Sequence, residues 1–487
     1  MNIVEPILFQ CKLNPLALAI YVPGSKYGAI NYATLERYIH NVAQTALKSG
    51  IAARNVVAIY VADPILHTSL ILGLMHVGVT TLSLSGPKPI SGITPDVILT
   101  DAPGKISNDL TVLGVDHTWL EDGAATKTNV YHHDQSEDDV CRIILTSGST
   151  GISKGVAFSH RALAARIEYY MYSKGPRFAH CPRFFCDLGI STSPGFGYVM
   201  SLLGRGATIY FLGPDPSDVL QIIDLHKVQG MATSPYGLGE FLRFFEADSA
   251  FEVTFDHIIC QGASLSPELS RRARARMCQN LYRSYGSTET STVAFGPANL
   301  LENVPGAIGY VQPGVVVEAI DGRGQVLPPL QDGALRIRSK YIAAGYVGDP
   351  EATQMFFRDG CFYSGDVGHL TPDGILVVTG REKTALNIGG DTIHPETVEG
   401  VIASFAGVRE AGVFALKNDL GISKISAVIV TTEPIEDAAL RNHCANRLPP
   451  SCVPVKFVVA DALPRGEQGK LERQRLSEVV AAKIKAV

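Results

Sequence analysis

Along the first third of the 487-residue chain, apolar positions gather into short runs separated by polar turns. VVAIYV (56–61), VTTLSL (79–84), DVILT (96–100) and CRIIL (141–145) are short, apolar and mostly rich in β-branched residues, as buried strands are. Between them, Pro64 to Val77 has the apolar density of a buried helix. RALAARIEYYM (161–171) repeats its apolar positions at helical spacing behind Ser159, a good N-cap. ATIYFL (207–212), FDHIIC (255–260) and the helical SRRARARM (270–277) continue the series. Strand–helix alternation of this kind predicts parallel α/β layers with helices on both faces. From about 315 the pattern changes to short strands and Gly/Pro/Asp turns, as in VVVEAIDGRGQVLPP and GHLTPDGILVVTG. Beyond Arg381, strands at GVFAL, SAVIV and VKFVV and a helix near 436–447 predict a smaller unit. The expected domains are 1–381 and 382–487.

Composition narrows this picture in three ways. A chain this long, 46% hydrophobic, has material for two or more cores. With 42 basic and 47 acidic residues spread along it and a net charge of −5, it carries no electrostatic footprint for nucleic acid, so a small-molecule partner is expected. Nine cysteines without a CxxC pair read as reduced thiols, Cys181 and Cys186 as buried apolar side chains, and MNIVEP is not a secretory signal, so a cytoplasmic location is expected. The uncharged stretch Pro64–Pro87 is long enough to span a bilayer, yet its two histidines, three glycines and several hydroxyls fit a buried helix turning into a strand, so no membrane span is expected. On SRRARARM, alternating Arg and Ala read as a solvated face rather than an anion site.

The stretch after CRIIL concentrates unusual chemistry. In LTSGSTGISKG (145–155), Gly148, Gly151 and Gly155 permit close backbone approach. The hydroxyls of Thr146, Ser147, Ser149 and Thr150 add donors, and Lys154 adds a charge. The composition is that of a phosphate cradle, with a flexible hairpin turn as the lesser alternative; strand-like VAFS follows, so no helix N-terminus begins directly behind the loop. It is not the common nucleotide P-loop, since Ser153-Lys154-Gly155 replaces Gly-Lys-Ser/Thr. RSYGSTETS (283–291) offers a ring at Tyr285, a hydroxyl at Thr288 and a carboxylate at Glu289 suited to Mg²⁺. FYSGDVGHL (362–370) sets Asp366 after a glycine, where it can accept ribose hydroxyls or make an Asx turn. GREKTALNIGG (380–390) lies at the domain boundary, and LPRGEQGKLER (463–473) places Lys470 on a glycine-bracketed loop.

Each stretch alone is ordinary; together and in this order they identify a resemblance. The chain resembles the adenylate-forming superfamily of acyl- and aryl-CoA synthetases, peptide-synthetase adenylation domains and luciferases. LTSGSTGISKG is similar to its TSG(S/T)TGxPKG loop, YGSTE to YGxTE, YSGD to (Y/W)x(S/T)GD, GREK to GRx(D/K), and PRGEQGK to PxxxxGK. The similarity covers roughly 30–476. It implies a large N-terminal domain of layered α/β subdomains plus a distorted β-barrel, and a small mobile α+β C-terminal domain. It also implies an acid-thiol ligase: a carboxylic acid attacks the α-phosphate of ATP, giving acyl-AMP and pyrophosphate, and a pantetheine thiol takes the acyl group. That thiol is coenzyme A or, as the alternative, the phosphopantetheine of an acyl carrier protein.

By the same resemblance, Lys470 bridges the acid and the α-phosphate, Glu289 with Thr150 or Thr288 holds Mg²⁺, and Thr146, Ser147, Gly148, Ser149, Thr150 and Lys154 hold the phosphates. Tyr285 stacks on adenine, Asp366 and Arg381 hold the ribose, and Lys383 is the hinge that withdraws Lys470 and brings in Gly389 and Gly390. Gly262, Ala263, Ser284 and Gly286 supply backbone around the nucleotide and the acid. The acid pocket is expected along RFFCDLGISTSPGFGYVM (183–200) and SPYGLG (234–239), with Phe185, Asp187, Ser193, Tyr236, Gly262 and Gly286 as its lining. Phe184, Phe196 and Tyr198 favour an apolar or aromatic acid, or else are core; Asp187 can pair with a substrate amine. Two positions depart from the family pattern: Ser153 stands where proline is usual, and Asn387 where a basic residue is usual.

Overall fold

A computed structural model describes residues 1–84, 86, 92–106, 110–121, 136–146, 153–213, 215, 218–247, 255–302, 304, 306–388, 391–417, 423–465 and 471–485. Ser147, Gly148, Ser149, Thr150, Gly389, Gly390 and Lys470 lie outside the described residues. The apolar runs form the strands Val56–Tyr60, Thr80–Ser83, Val97–Thr100 and Val140–Thr146, parallel members of a six-stranded sheet. Lys154–Ser159 closes that sheet antiparallel to Val140–Thr146, pairing Thr146 with Lys154, so the cradle sequence spans a hairpin.

A second sheet of 14 strands carries four parallel neighbours: Arg183–Cys186, Gly230–Thr233, His257–Gln261 and Leu281–Ser287. Their register pairs Cys186 with Ala232, Thr233 with Cys260, and Gln261 with Ser284. The carboxyl ends therefore share one edge, where Asp187, Ser234, Gly262 and Tyr285 emerge side by side. Open α/β sheets bind ligands at such edges.

Two helices cover one face of these strands. His160–Ser173 starts where Ser159 Oγ accepts from the Ala162 amide at 3.2 Å, and Ser193–Leu203 starts where Thr192 Oγ1 accepts from the Gly195 amide at 3.1 Å. Phe184, Phe196, Tyr198 and Ile259 are buried between helices and sheet in the main core. Phe185 points to the opposite face and packs with Phe241, their rings 5.3 Å apart. The helix Pro64–His76 is buried along most of its length, and among the described residues no helix is long and apolar enough to cross a membrane. The basic helix Pro267–Arg276 spends Arg271, Arg272 and Arg274 on Glu268, Glu246 and Glu302. All nine cysteines are free thiols, eight of them buried.

From Ser291–Pro297 onward the large sheet turns antiparallel. The barrel expected here is, among the described residues, an open ribbon: ladders run Val315–Ile320, Gly333–Ser339, Cys361–Leu370, Ile375–Arg381, Ala307–Val311, with none joining the first to the last. Beyond Arg381 no described strand joins this sheet. A one-turn helix, Glu382–Thr384, leads into the ribbon Leu386–Ile388/Asp391–Ile393 and a separate three-stranded sheet with its own core around Val398, Ile402, Val413 and Leu440.

Candidate active site

Backbone chemistry at the shared edge leaves room for a ligand. Gly262, at φ +93°, follows the His257–Gln261 strand, and a Cβ there would meet nothing within 4 Å; Ala263 beside it is exposed. Gly286 and Ser287 are exposed at the end of the next strand. Ser284 is buried one turn of the pleat earlier.

Tyr285, between them, points to the other face, where its hydroxyl donates to Asp366 Oδ2 at 2.5 Å. Arg381 Nε donates to Asp366 Oδ1 at 2.7 Å, because strand pairing sets Asp366 directly opposite Arg381. Asp366 is buried and receives one donor at each oxygen, so each oxygen keeps acceptor capacity. Burial and the Asp366 charge hold the Tyr285 phenol well above its ordinary pKa, so it stays a donor. Three motifs far apart in sequence thus meet around one carboxylate.

A second cluster forms around Glu289. Its side chain is buried; Oε1 accepts from the Tyr346 hydroxyl at 2.7 Å, and no described cation pairs with it. Lys154 sits on the other side of Tyr346, 5.0 Å from the ring centroid, with Nζ 3.2 Å from Asp349. The segment that supplies Tyr346 and Asp349 is stapled to the cradle hairpin by the Val347 amide on the Gly155 carbonyl at 2.8 Å. It also passes Gly92 so closely that a Cβ on Gly348, already at φ +68°, would lie 2.1 Å from the Gly92 carbonyl oxygen. The Gly345-Tyr346 and Gly348-Asp349-Pro350 turns are the sequence signal that could have found this segment.

Arg166 is a further residue that sequence reasoning missed. Buried on the His160–Ser173 helix, it gives Nη1 to the Thr288 carbonyl at 2.7 Å, Nη2 to the Glu289 carbonyl at 2.9 Å, and Nε to the Tyr341 carbonyl at 3.1 Å. Its guanidinium lies 4.2 Å from the Phe158 ring centroid, and burial lowers its pKa to about 10. One planar fork thereby fixes the backbone under Thr288 and Glu289.

On the acid side the expected lining divides. Phe185 is a core residue and leaves the pocket, because strand alternation turns it to the far face. Phe184, Phe196 and Tyr198 are core as well. Asp187 stands at the strand ends, accepts from Thr233 Oγ1 at 2.6 Å, and has its pKa raised to about 6 by burial, with the Thr233 hydroxyl opposing. Ser193 borders a small cavity with Ile144, Arg166, Tyr170 and Phe196. Tyr236 is 43% exposed, and the Arg465 guanidinium from the C-terminal unit lies 5.1 Å above its ring. Arg465 and Leu471, which flank the Lys470 loop, pair as an antiparallel bridge. Lys383 is exposed, its Nζ 5.6 Å from the Phe356 ring centroid.

The chain has similar sequences and folds among known proteins. The chain is 27% identical to a 4-chlorobenzoate–CoA ligase of Arthrobacter sp., over 98% of this chain and 95% of that protein. It is 24% identical to the fatty acid–[acyl-carrier-protein] ligase ScoC of Streptomyces coeruleorubidus, over 98% and 96%. Its fold is that of the O-succinylbenzoate coenzyme A synthetase of Bacillus subtilis solved with AMP, with a TM-score of 0.82, 21% identity and 97% of each chain covered. Residues 94–347 match the AMP-binding enzyme family and residues 397–470 its C-terminal domain. With the first match spanning more than half of its length, the chain belongs to the AMP-binding enzyme family.

Proposed function

We propose that the protein is an AMP-forming acid–thiol ligase that activates a small carboxylic acid with ATP and passes the acyl group to coenzyme A. The observation that carries this is the convergence of Tyr285 and Arg381 on the Asp366 carboxylate, beside a second cluster of Glu289, Tyr346 and Lys154. The first supplies acceptors for ribose hydroxyls and a ring for the base. The second fits a phosphate-bound cation: Glu289 is buried, has one oxygen spent on Tyr346, and has no paired cation among the described residues. A magnesium ion held there would neutralise triphosphate charge as the acid approaches.

In the first half-reaction a carboxylate oxygen forms the bond to the α-phosphorus, and the bond to pyrophosphate breaks. Lys154, held between Asp349 and two aromatic rings, can be released toward phosphate oxygens, while Lys470 bridges the two reacting anions. In the second, the thiol sulfur attacks the acyl carbon and AMP leaves. We place the domain boundary at 381/382 and the pivot at Lys383: the linking turn Glu382–Thr384 is a single exposed-to-half-buried turn, and Arg465 on Tyr236 sets the flank of the Lys470 loop against the acid side.

A pyrophosphate-exchange screen over aliphatic, aromatic and amino acids tests the reading; ATP binding without exchange for any acid overturns it. Supplying coenzyme A or a pantetheinylated carrier protein to the acyl-adenylate then decides the acceptor, and a faster transfer to the carrier would replace coenzyme A in the proposal. Lys470→Ala is expected to abolish adenylation while still converting supplied acyl-adenylate to thioester. Equal loss of both half-reactions contradicts the domain rotation.

A further inference from the structure

The face of the sheet beneath the His160–Ser173 helix holds a buried group that the nucleotide chemistry does not use. Lys174 caps that helix at its carboxyl end and is only 4% exposed. Its Nζ donates to Ser284 Oγ at 2.8 Å and Thr292 Oγ1 at 3.0 Å, and lies 4.9 Å from the Phe295 and 5.4 Å from the Tyr170 ring centroids. No carboxylate of the described residues pairs with it. The register explains the grouping: Ser284 faces Gln261 on one side and Phe295 on the other, and Thr292 faces Gly286, so all five share one face. Gln261 is also buried, and its side-chain amide nitrogen has no hydrogen-bond partner.

The group is rich in donors, although the ammonium already gives protons to two hydroxyl oxygens and Gln261 keeps its carbonyl oxygen as an acceptor. The ammonium donates into both hydroxyl oxygens, which leaves the protons of Ser284 and Thr292 to point elsewhere. The Gln261 NH₂ is unspent. Burial alone lowers the Lys174 pKa to about 7, so the site holds this cation weakly until an anion joins it. A buried donor without an acceptor, such as the Gln261 amide nitrogen, is costly in a closed protein, and a ligand that brings an acceptor removes that cost. Ser284 lies on the Leu281–Ser287 strand, whose carboxyl end leads on to Thr288 and Glu289, so the set adjoins the element that carries the proposed activation site.

We infer that Lys174, with Gln261, Ser284 and Thr292, receives a second carboxylate at the far end of the substrate, so that the acid this enzyme activates is a dicarboxylic acid, one carboxylate adenylated and the other held at Lys174. The inference rests on the ligase reading for the fate of the first carboxylate and on the buried donor cluster for the second. It assigns the specificity to a residue outside all five motifs.

The test compares matched acids on the full-length enzyme: benzoate against isophthalate and terephthalate, hexanoate against adipate. The diacid of a pair is expected to give the higher kcat/KM in pyrophosphate exchange. Lys174→Met should lower the diacid-to-monoacid ratio of kcat/KM by about 100-fold, the scale set by leaving a buried anion without its partner, and Lys174→Arg should restore most of it. A uniform loss over all acids, or a monoacid preference in the wild type, overturns the inference while leaving the ligase intact. If no acid supports exchange, calorimetric binding of the diacids decides alone: saturable binding lost in Lys174→Met upholds the site, and no binding refutes it.

Discussion

Asp366 shows how much a single side chain can be asked to do. Its two oxygens are held by donors of different kinds, a phenol that burial keeps protonated and a guanidinium that is always charged. Arg381 alone would fix the carboxylate from one side and leave it free to rotate; Tyr285 on the other oxygen prevents that. Asp366→Asn removes the charge and half the acceptor capacity, and should raise the KM for ATP by about 10- to 100-fold in pyrophosphate exchange, the worth of one or two charge-assisted hydrogen bonds. Tyr285→Phe keeps the ring for the base and the Arg381 contact, so its KM should rise by about 10-fold or less. A larger effect for Tyr285→Phe than for Asp366→Asn would mean that the phenol itself, and not the carboxylate it orients, meets the nucleotide.

At the scale of elements, the site is made by strands that end together and by one helix that reaches over to clamp a loop. The His160–Ser173 helix contributes Arg166, whose fork spends its donors on three backbone carbonyls at Thr288, Glu289 and Tyr341. Arg166→Met leaves those carbonyls without donors at about 1 to 3 kcal/mol each, partly offset because a buried guanidinium no longer has to be desolvated. Urea denaturation should show a net loss of roughly 2 to 4 kcal/mol, and kcat for exchange should fall at least about 10-fold as Glu289 loosens. Arg166→Lys should not recover either, since an ammonium cannot reproduce a planar fork. The strands, helices and caps of this architecture were legible in the sequence because periodicity and N-capping are local: Ser159 caps its helix, and CRIIL and VAFS pair as a hairpin. The motif residues Tyr285, Glu289, Asp366 and Arg381 stood out through the resemblance of their motifs; their meeting was not legible, since Asp366, expected on a loop, lies within the Cys361–Leu370 strand directly opposite Arg381. Phe185 was misplaced because a run such as RFFC is buried on both faces, and hydrophobicity cannot say which side chain looks which way. Arg166 and Lys174 were missed because their partners are carbonyls and hydroxyls brought up from more than a hundred residues away, with no charge pattern to betray them.

The molecule as a whole buries four cations without carboxylate partners in the described residues, one of them Arg283, whose Nη1 donates to the Ala307 carbonyl at 2.8 Å. Arg142 rests on the hydroxyls of Thr81 and Ser83 and on the Phe196 ring with its pKa lowered to about 9, Arg166 rests on carbonyls, and Lys174 on Ser284 and Thr292. Each withdraws stability from the fold, and Lys174 does so in a window that can be measured. Its pKa falls from 10.5 to about 7 on folding, and burial is the cause. Between those values the unfolded chain binds the proton more tightly than the folded one, so stability rises with pH across the window and the full penalty is present below about pH 7. Lys174→Met removes a group that is charged when unfolded and reluctant to be charged when folded. Relative to wild type it should therefore be more stable at pH 6 by on the order of 3 to 4 kcal/mol beyond its relative stability at pH 10, where the penalty has mostly gone. The orphaned hydroxyls of Ser284 and Thr292 subtract a similar amount at both pH values and leave that difference unchanged. Chemical denaturation of both proteins at the two pH values checks it; a Lys174→Met effect that does not vary with pH would mean the ammonium is already compensated in the ligand-free fold, and the diacid assignment would lose its physical basis. A variant that gains stability as it loses the diacid would show instead that this cation is kept for its substrate.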